Sequence, residues 1–230
     1  MSAHTTTPAA EPVRGPGRQQ QRSELSTRRL LDATAALIAE RGLERTTLAD
    51  IGSRAGYSQG LVTRRFGSKS NLLVALVDRL TARFGPERLL DTVGDRSGVA
   101  AVRHILAEIR DDATRSPSDV RGFYALMFEG IKPVPELQDR LRELNRVFRR
   151  MLAEIIASGI DEGTVAGHVD PGAAANLITG ALRGAAFLWM LDPEDIDFQA
   201  ELDSVAVQMT RLLAPEPADG DPEPRGGGTR

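Results

Sequence analysis

From Leu30 to Leu213 the apolar residues fall at spacings of three and four, with glycines, prolines and capping side chains between the runs, and this reads as a succession of helices. Leu30, Thr34, Leu37 and Ile38 recur on one face of the first, which Gly42 closes as a left-handed cap. Thr47, with Asp50 three residues later, makes a capping box for a short second helix whose Leu48, Ile51 and Ala55 share a side. Gly56 breaks that helix. Ser58 caps a third, buried through Val62 and Phe66 and stopped by Gly67, and Ser68 caps a fourth, whose Leu72, Leu73, Leu76 and Leu80 carry it to Gly85-Pro86. Further helices are predicted at about 98–115, 118–131, 135–159, 171–191 and 194–213, the last two entered through Asp170-Pro171 and Asp192-Pro193. There is no convincing strand and no internal repeat, so the predicted fold class is all-α. Residues 1–23 and 215–230 lack periodicity and are expected to be disordered tails.

Composition narrows the chemistry. A chain of 230 residues, 41 % hydrophobic, can bury a core, and with no cysteine it does so without disulfides or thiolate metal sites. His4, His104 and His168 have no metal-ligand spacing, so no metal is expected. No G-x-S-x-G, Gly-rich phosphate loop or carboxylate pair of recognisable spacing is present, so neither an enzyme nor a cofactor is implied. The sequence reads as lacking a signal peptide and any apolar run of membrane-spanning length, which predicts a cytoplasmic protein. The net charge of −3 is unevenly spread. Residues 1–70 hold eleven basic against six acidic side chains, whereas residues 71–230 hold eighteen against twenty-six. A small basic module that meets phosphate, carried by a larger acidic one, has this asymmetry. Arg14, Arg18 and Arg22 make the N-terminal tail basic, suiting either a solvated tail or a minor-groove arm.

Two short helices joined by a glycine-containing turn, from Thr47 to Phe66, form a helix-turn-helix pattern. Its second helix must offer a polar, uncluttered N-terminal end to a major groove. Ser58 and Gln59 supply hydrogen-bonding groups, and Gly60 holds nothing against the sugar-phosphate wall. Arg64 and Arg65, one turn on, can reach guanine edges or phosphates. Thr47 and Lys69 sit at helix N-termini, where backbone N–H groups attract phosphate.

The run TTLADIGSRAGYSQGLVTRRFGSKSNLL, Thr46 to Leu73, resembles the DNA-binding segment of TetR-type repressors. Gly52 stands where such proteins usually carry Ala, Tyr57 where they carry Val, Thr63 where they carry Tyr, and Arg65 where they carry Tyr or His. The resemblance implies DNA contacts from Thr46, Thr47, Tyr57, Ser58, Gln59, Gly60, Thr63, Arg64, Arg65 and Lys69. Thr63 makes a shorter contact than the usual aromatic. It further implies a helix-turn-helix domain at 24–69 and an effector-binding and dimerisation domain at 70–214. The partners would be a palindromic double-stranded operator, a second copy of the chain and a small-molecule effector.

For the later helices the residues leave two readings each. Gly180 and Gly184, among many alanines, suit a closely packed internal helix or a seam between subunits, and the resemblance favours the seam, with Leu202, Val205, Met209 and Leu212 as the stripe of the final helix. Phe84, Phe123, Met127, Phe128 and Trp189 suit plain core or the walls of an effector pocket, with His104 and Arg183 as its polar members. The alternatives to a ligand-released repressor are a TetR-like activator, or a helical binding protein or enzyme that does not bind DNA.

Overall fold

The computed structural model describes residues 17–129 and 135–215. Ten helices run through them: α1 (Arg18–Arg41), α2 (Leu48–Ala55), α3 (Gln59–Phe66), α4 (Lys69–Phe84), α5 (Pro86–Val93), α6 (Gly98–Arg115), α7 (Pro117–Glu129), α8 (Pro135–Asp161), α9 (Pro171–Leu191) and α10 (Phe198–Leu213). No strand occurs among the described residues, so the chain is all-α as its periodicity predicted. The predicted end of the helix at 131, Arg14, and the tails before 17 and after 215 lie outside the described residues.

The sequence rules hold at most helix starts. Thr47 and Asp50 complete the capping box, and the Ser58, Ser68 and Asp170 side chains each accept a backbone N–H of the helix they open. Four readings need correction. Residues 18–23 are the first turns of α1 rather than part of a disordered tail; they are polar throughout and so showed no apolar stripe. Gly42 has positive φ (80°) but ψ 166°, which is not the left-handed helical conformation. A whole helix, α5, follows Gly85, with Pro86 in its first turn and Leu89 and Val93 buried. At the other end, Asp192 terminates α9 and caps only a single turn, and Asp197 opens α10 by accepting from the N–H groups of Gln199 and Ala200.

One hydrophobic cluster runs from Leu30 and Ile51 through Leu76, Ile105 and Leu126 to Ile178 and Leu213, so the helix-turn-helix shares its core with the rest of the chain. Close approaches fix two joints. Gly122 lets α7 lie against α1, since a Cβ there would sit 3.1 Å from that of Ala35. Gly98 and Gly159 bring α6 against the end of α8, with no room for a side chain between them. Contrary to the sequence reading, α9 is a helix of 21 residues long and apolar enough to cross a membrane by length and composition. It packs against α8 and α10, carries Arg183 midway, and leaves an apolar face uncovered.

Candidate nucleic-acid interface and effector cavity

The α2–turn–α3 unit is fixed by short-range bonds. The Thr47 hydroxyl donates to Asp50 Oδ2 at 2.6 Å and accepts from the Asp50 N–H at 3.2 Å, while Thr47 N–H donates to the same carboxylate at 3.1 Å. These bonds from Thr47, helped by the charge of Arg41 at 2.7 Å, hold the Asp50 carboxyl below its ordinary value. Arg54 forks onto Glu40 of α1 at 2.6 and 2.5 Å. The turn itself closes on Gly52, where a Cβ would lie 2.9 Å from the Tyr57 carbonyl oxygen. Glycine rather than alanine therefore suits this particular turn.

What this scaffold presents is a short polar row. Ser58, Gln59, Gly60, Thr63 and Arg64 are all exposed, and Gln59 and Arg64 have no hydrogen-bond or ion-pair partner among the described residues. Gly60 has only the Ser58 hydroxyl near it. The remaining sequence candidates are placed differently. Thr46 is fully buried, its hydroxyl donating to the Gly42 carbonyl at 2.9 Å, so it faces the core and not a duplex. Arg65 turns back to α1 and donates to the Ser23 carbonyl, the Ser23 hydroxyl and the Thr27 hydroxyl at 2.9, 2.8 and 2.6 Å. Lys69 donates to the Leu43 carbonyl at 2.7 Å. Tyr57 is half-buried and faces a hollow between α3 and the first turns of α1. Arg65 thus ties α3 to α1, and Lys69 ties α4 to the loop that follows α1.

A second candidate site lies in the body of the chain. Between α4, α5, α6, α7, α8 and α9 is a cavity with about 30 Å³ open to water, room for one or two molecules. Phe84, Phe123 and Arg183 line it, as the sequence suggested. His104, Met127, Phe128 and Trp189 do not. Trp189 stacks on Phe198 at 4.9 Å with the Arg121 guanidinium over it. Phe128 touches Tyr124 and Phe187, Met127 packs on the core, and His104 on α6 has a buried Nε2 with no hydrogen-bond partner among the described residues. Sequence reasoning missed Tyr124, Phe148, Leu89 and Asp112. The α5 members were signalled by Pro86-Glu87 followed by Leu89 and Val93; the others carry no local signal.

The cavity's polar groups differ in how they are compensated. Asp112 is 8 % exposed and is bonded by Arg88 and, at 2.8 Å, by Arg115; Arg88 also reaches Glu108 at 3.2 Å. Arg183 lies over the rings of Tyr124 and Phe148, 5.5 and 5.8 Å from their centroids. Burial pushes its guanidinium below the ordinary arginine value, the Tyr124 hydroxyl alone opposing this, and burial likewise pushes the Tyr124 hydroxyl up.

The third region is the outer face of α9 and α10. Leu177, Phe187, Leu188 and Leu191 of α9, with Val207 and Leu212 of α10, are 44–71 % exposed, and Gly180 and Gly184 have open space before them. Leu202 and Met209, predicted for a subunit seam, are instead buried in the chain's own core, and Val205 is half-buried against it. The helical period of this stripe is the same for a core face and for a subunit seam, so it did not show which of the two it makes.

Residues 30–76 match the family of bacterial regulatory proteins described as tetR, and residues 98–214 match the C-terminal domain of BetI-type transcriptional repressors. The chain is 32 % identical over 167 residues to the HTH-type transcriptional regulator BetI of Serratia proteamaculans, covering 69 % of this chain and 82 % of that protein. Its fold is similar to that of a SmeT–triclosan complex (TM-score 0.71, 23 % identity, covering 85 % and 93 % of the two chains). A similar likeness holds to the Bacillus subtilis regulator FadR in complex with stearoyl-CoA (TM-score 0.66, 19 % identity, covering 81 % and 98 %). With its N-terminal and C-terminal parts both matched, the chain is a DNA-binding transcriptional regulator of the TetR family, with a BetI-type C-terminal domain.

Proposed function

We propose that the chain is a cytoplasmic repressor that binds a palindromic operator as a homodimer and is released when a small molecule enters the cavity between α4 and α9. The carrying observation is that Gln59 and Arg64 stand exposed and without partners among the described residues, while Arg54, Arg65 and Lys69 of the same module are tied down. Gln59 and Ser58 offer groups to base edges, Arg64 offers a guanidinium to guanine or phosphate, and Thr63 offers a hydroxyl to the backbone. The apolar seam of α9 and α10, which repeats at 177, 180, 184, 188 and 191, supports a twofold contact that sets two α3 helices about 34–36 Å apart.

Two rods support transmission. α4 has Phe84 in the cavity wall at one end and Lys69 against Leu43 at the other, a span of about 24 Å. α7 supplies Phe123 and Tyr124 to the cavity and lies along α1. A ligand that widens the cavity acts on both, and to switch it must favour the splayed geometry by about 1–3 kcal/mol or more. The test is a gel shift of the full chain on its own promoter region. Retardation that weakens steeply with salt and is lost in Gln59→Ala and Arg64→Ala is expected. Unchanged affinity in both variants refutes the assignment.

A further inference from the structure

We infer that the molecule that opens and fills this cavity is an apolar monocarboxylate, its carboxylate held by Arg183 and the Tyr124 hydroxyl and its hydrocarbon part against Phe84, Phe123 and Phe148. The inference rests on the effector-released reading above and names the chemistry of its ligand.

Aromatic walls alone are ambiguous, because ring faces also attract quaternary ammonium groups. Here the guanidinium of Arg183 already stands over Tyr124 and Phe148. A second cation would share the cavity with that charge, and no carboxylate among the described residues pairs with it. Asp112 does not offset it, being bonded to Arg88 and Arg115. A purely apolar ligand would strip Arg183 of what solvation it has and give nothing back, and a neutral acceptor would return a hydrogen bond but leave the charge uncompensated. A carboxylate removes that deficit: it matches the planar fork of a guanidinium, and Tyr124, kept protonated by its burial, has a hydroxyl proton to donate. Both available groups are donors, so the complementary ligand is an acceptor.

The experiment is calorimetric titration of the full chain, without DNA, with decanoate, decanol and decyltrimethylammonium, each below micelle formation, and with phenylbutyrate as an aromatic acid. The expected result is an acid bound about tenfold or more tighter than the alcohol, with the ammonium weakest. Arg183→Gln should equalise acid and alcohol, and Arg183→Lys should keep part of the difference, since it retains the charge without the fork. Equal binding of acid and alcohol by the unaltered chain, tighter binding of the ammonium, or no binding of either acid at millimolar concentration overturns the inference whatever the variants do. A gel shift run in parallel separates the two readings. A chain that binds its operator but neither acid refutes the carboxylate and leaves the repressor standing. One that binds decanoate tightly yet keeps its grip on the operator supports the carboxylate and refutes the release mechanism.

Discussion

The turn between α2 and α3 and the walls of the cavity are built from different kinds of polar contact. Around α2 and α3, four of the caps and turn bonds join residues three apart, at Thr47, Asp50, Ser58 and Ser68, and the turn at Gly52 is closed by backbone. Around the cavity, charged bonds also cross between helices: Arg88 of α5 to Glu108 and Asp112 of α6, and Arg83 of α4 to Asp119 of α7. A module closed on itself moves as a unit. A body stitched by side chains across helix interfaces deforms where those stitches give, so motion that begins at the cavity reaches DNA as a displacement of α3 and not as a change within it.

The strongest way to break that picture is to separate the subunits. Leu177→Glu with Leu191→Glu puts charge on the exposed seam without touching the protomer core, so light scattering should report a monomer. Operator affinity by fluorescence anisotropy should fall by about 10²- to 10⁴-fold as the linked second site is lost. A dimer of unchanged affinity would mean the seam lies elsewhere.

Neighbouring arginines sharpen the comparison further. Arg64 is exposed, and its replacement by alanine should cost about 1–3 kcal/mol of operator binding with the melting temperature unchanged. Arg65 holds Ser23 and Thr27, and its replacement should cost about 1–3 kcal/mol of stability. Calorimetric melting beside anisotropy reads both. If Arg65→Ala melts normally and only DNA binding suffers, the inward placement of its guanidinium is refuted.

Within the cavity wall the corresponding cut is Arg88→Ala. It detaches α5 from α6 while Arg115 still covers Asp112, so stability should fall by about 1–2 kcal/mol. Amide exchange should rise across Pro86–Val93 but not in α3. Equal acceleration in both would deny that the two regions are mechanically distinct.

The same contrast explains what could be read from residues in order. Thr47-x-x-Asp50, Ser58 and Ser68 specify their caps within one helical turn, so the DNA-binding unit was legible, including the outward Gln59 and Arg64. Arg65 was misjudged because its partners lie 42 and 38 residues away. Tyr124 and Phe148 become cavity walls only when α7 and α8 meet across α9, and nothing in their own neighbourhoods marks them. On α10, the helical period of Leu202, Val205, Met209 and Leu212 suits a core face as well as a subunit seam, and only packing against α6 puts Leu202 and Met209 in the core and leaves Leu212 outside.

The smallest expected effect tests how local the first region is. Thr47→Ala removes the cap, which should cost about 1 kcal/mol at neutral pH. It also takes from Asp50 the Thr47 hydroxyl, the largest of the contacts that hold its carboxyl low, while the N–H of residue 47 and Arg41 remain. A depressed folded pKa contributes stability that is present above the unfolded value, near 3.8, and is lost as pH falls through the folded value. Wild type and variant should therefore differ most above that range, and the difference should shrink in more acid solution toward what the cap bond alone contributes. Melting curves taken from neutral pH downward would show this. A difference that persists undiminished in acid would mean that Thr47 acts through contacts other than the Asp50 carboxylate.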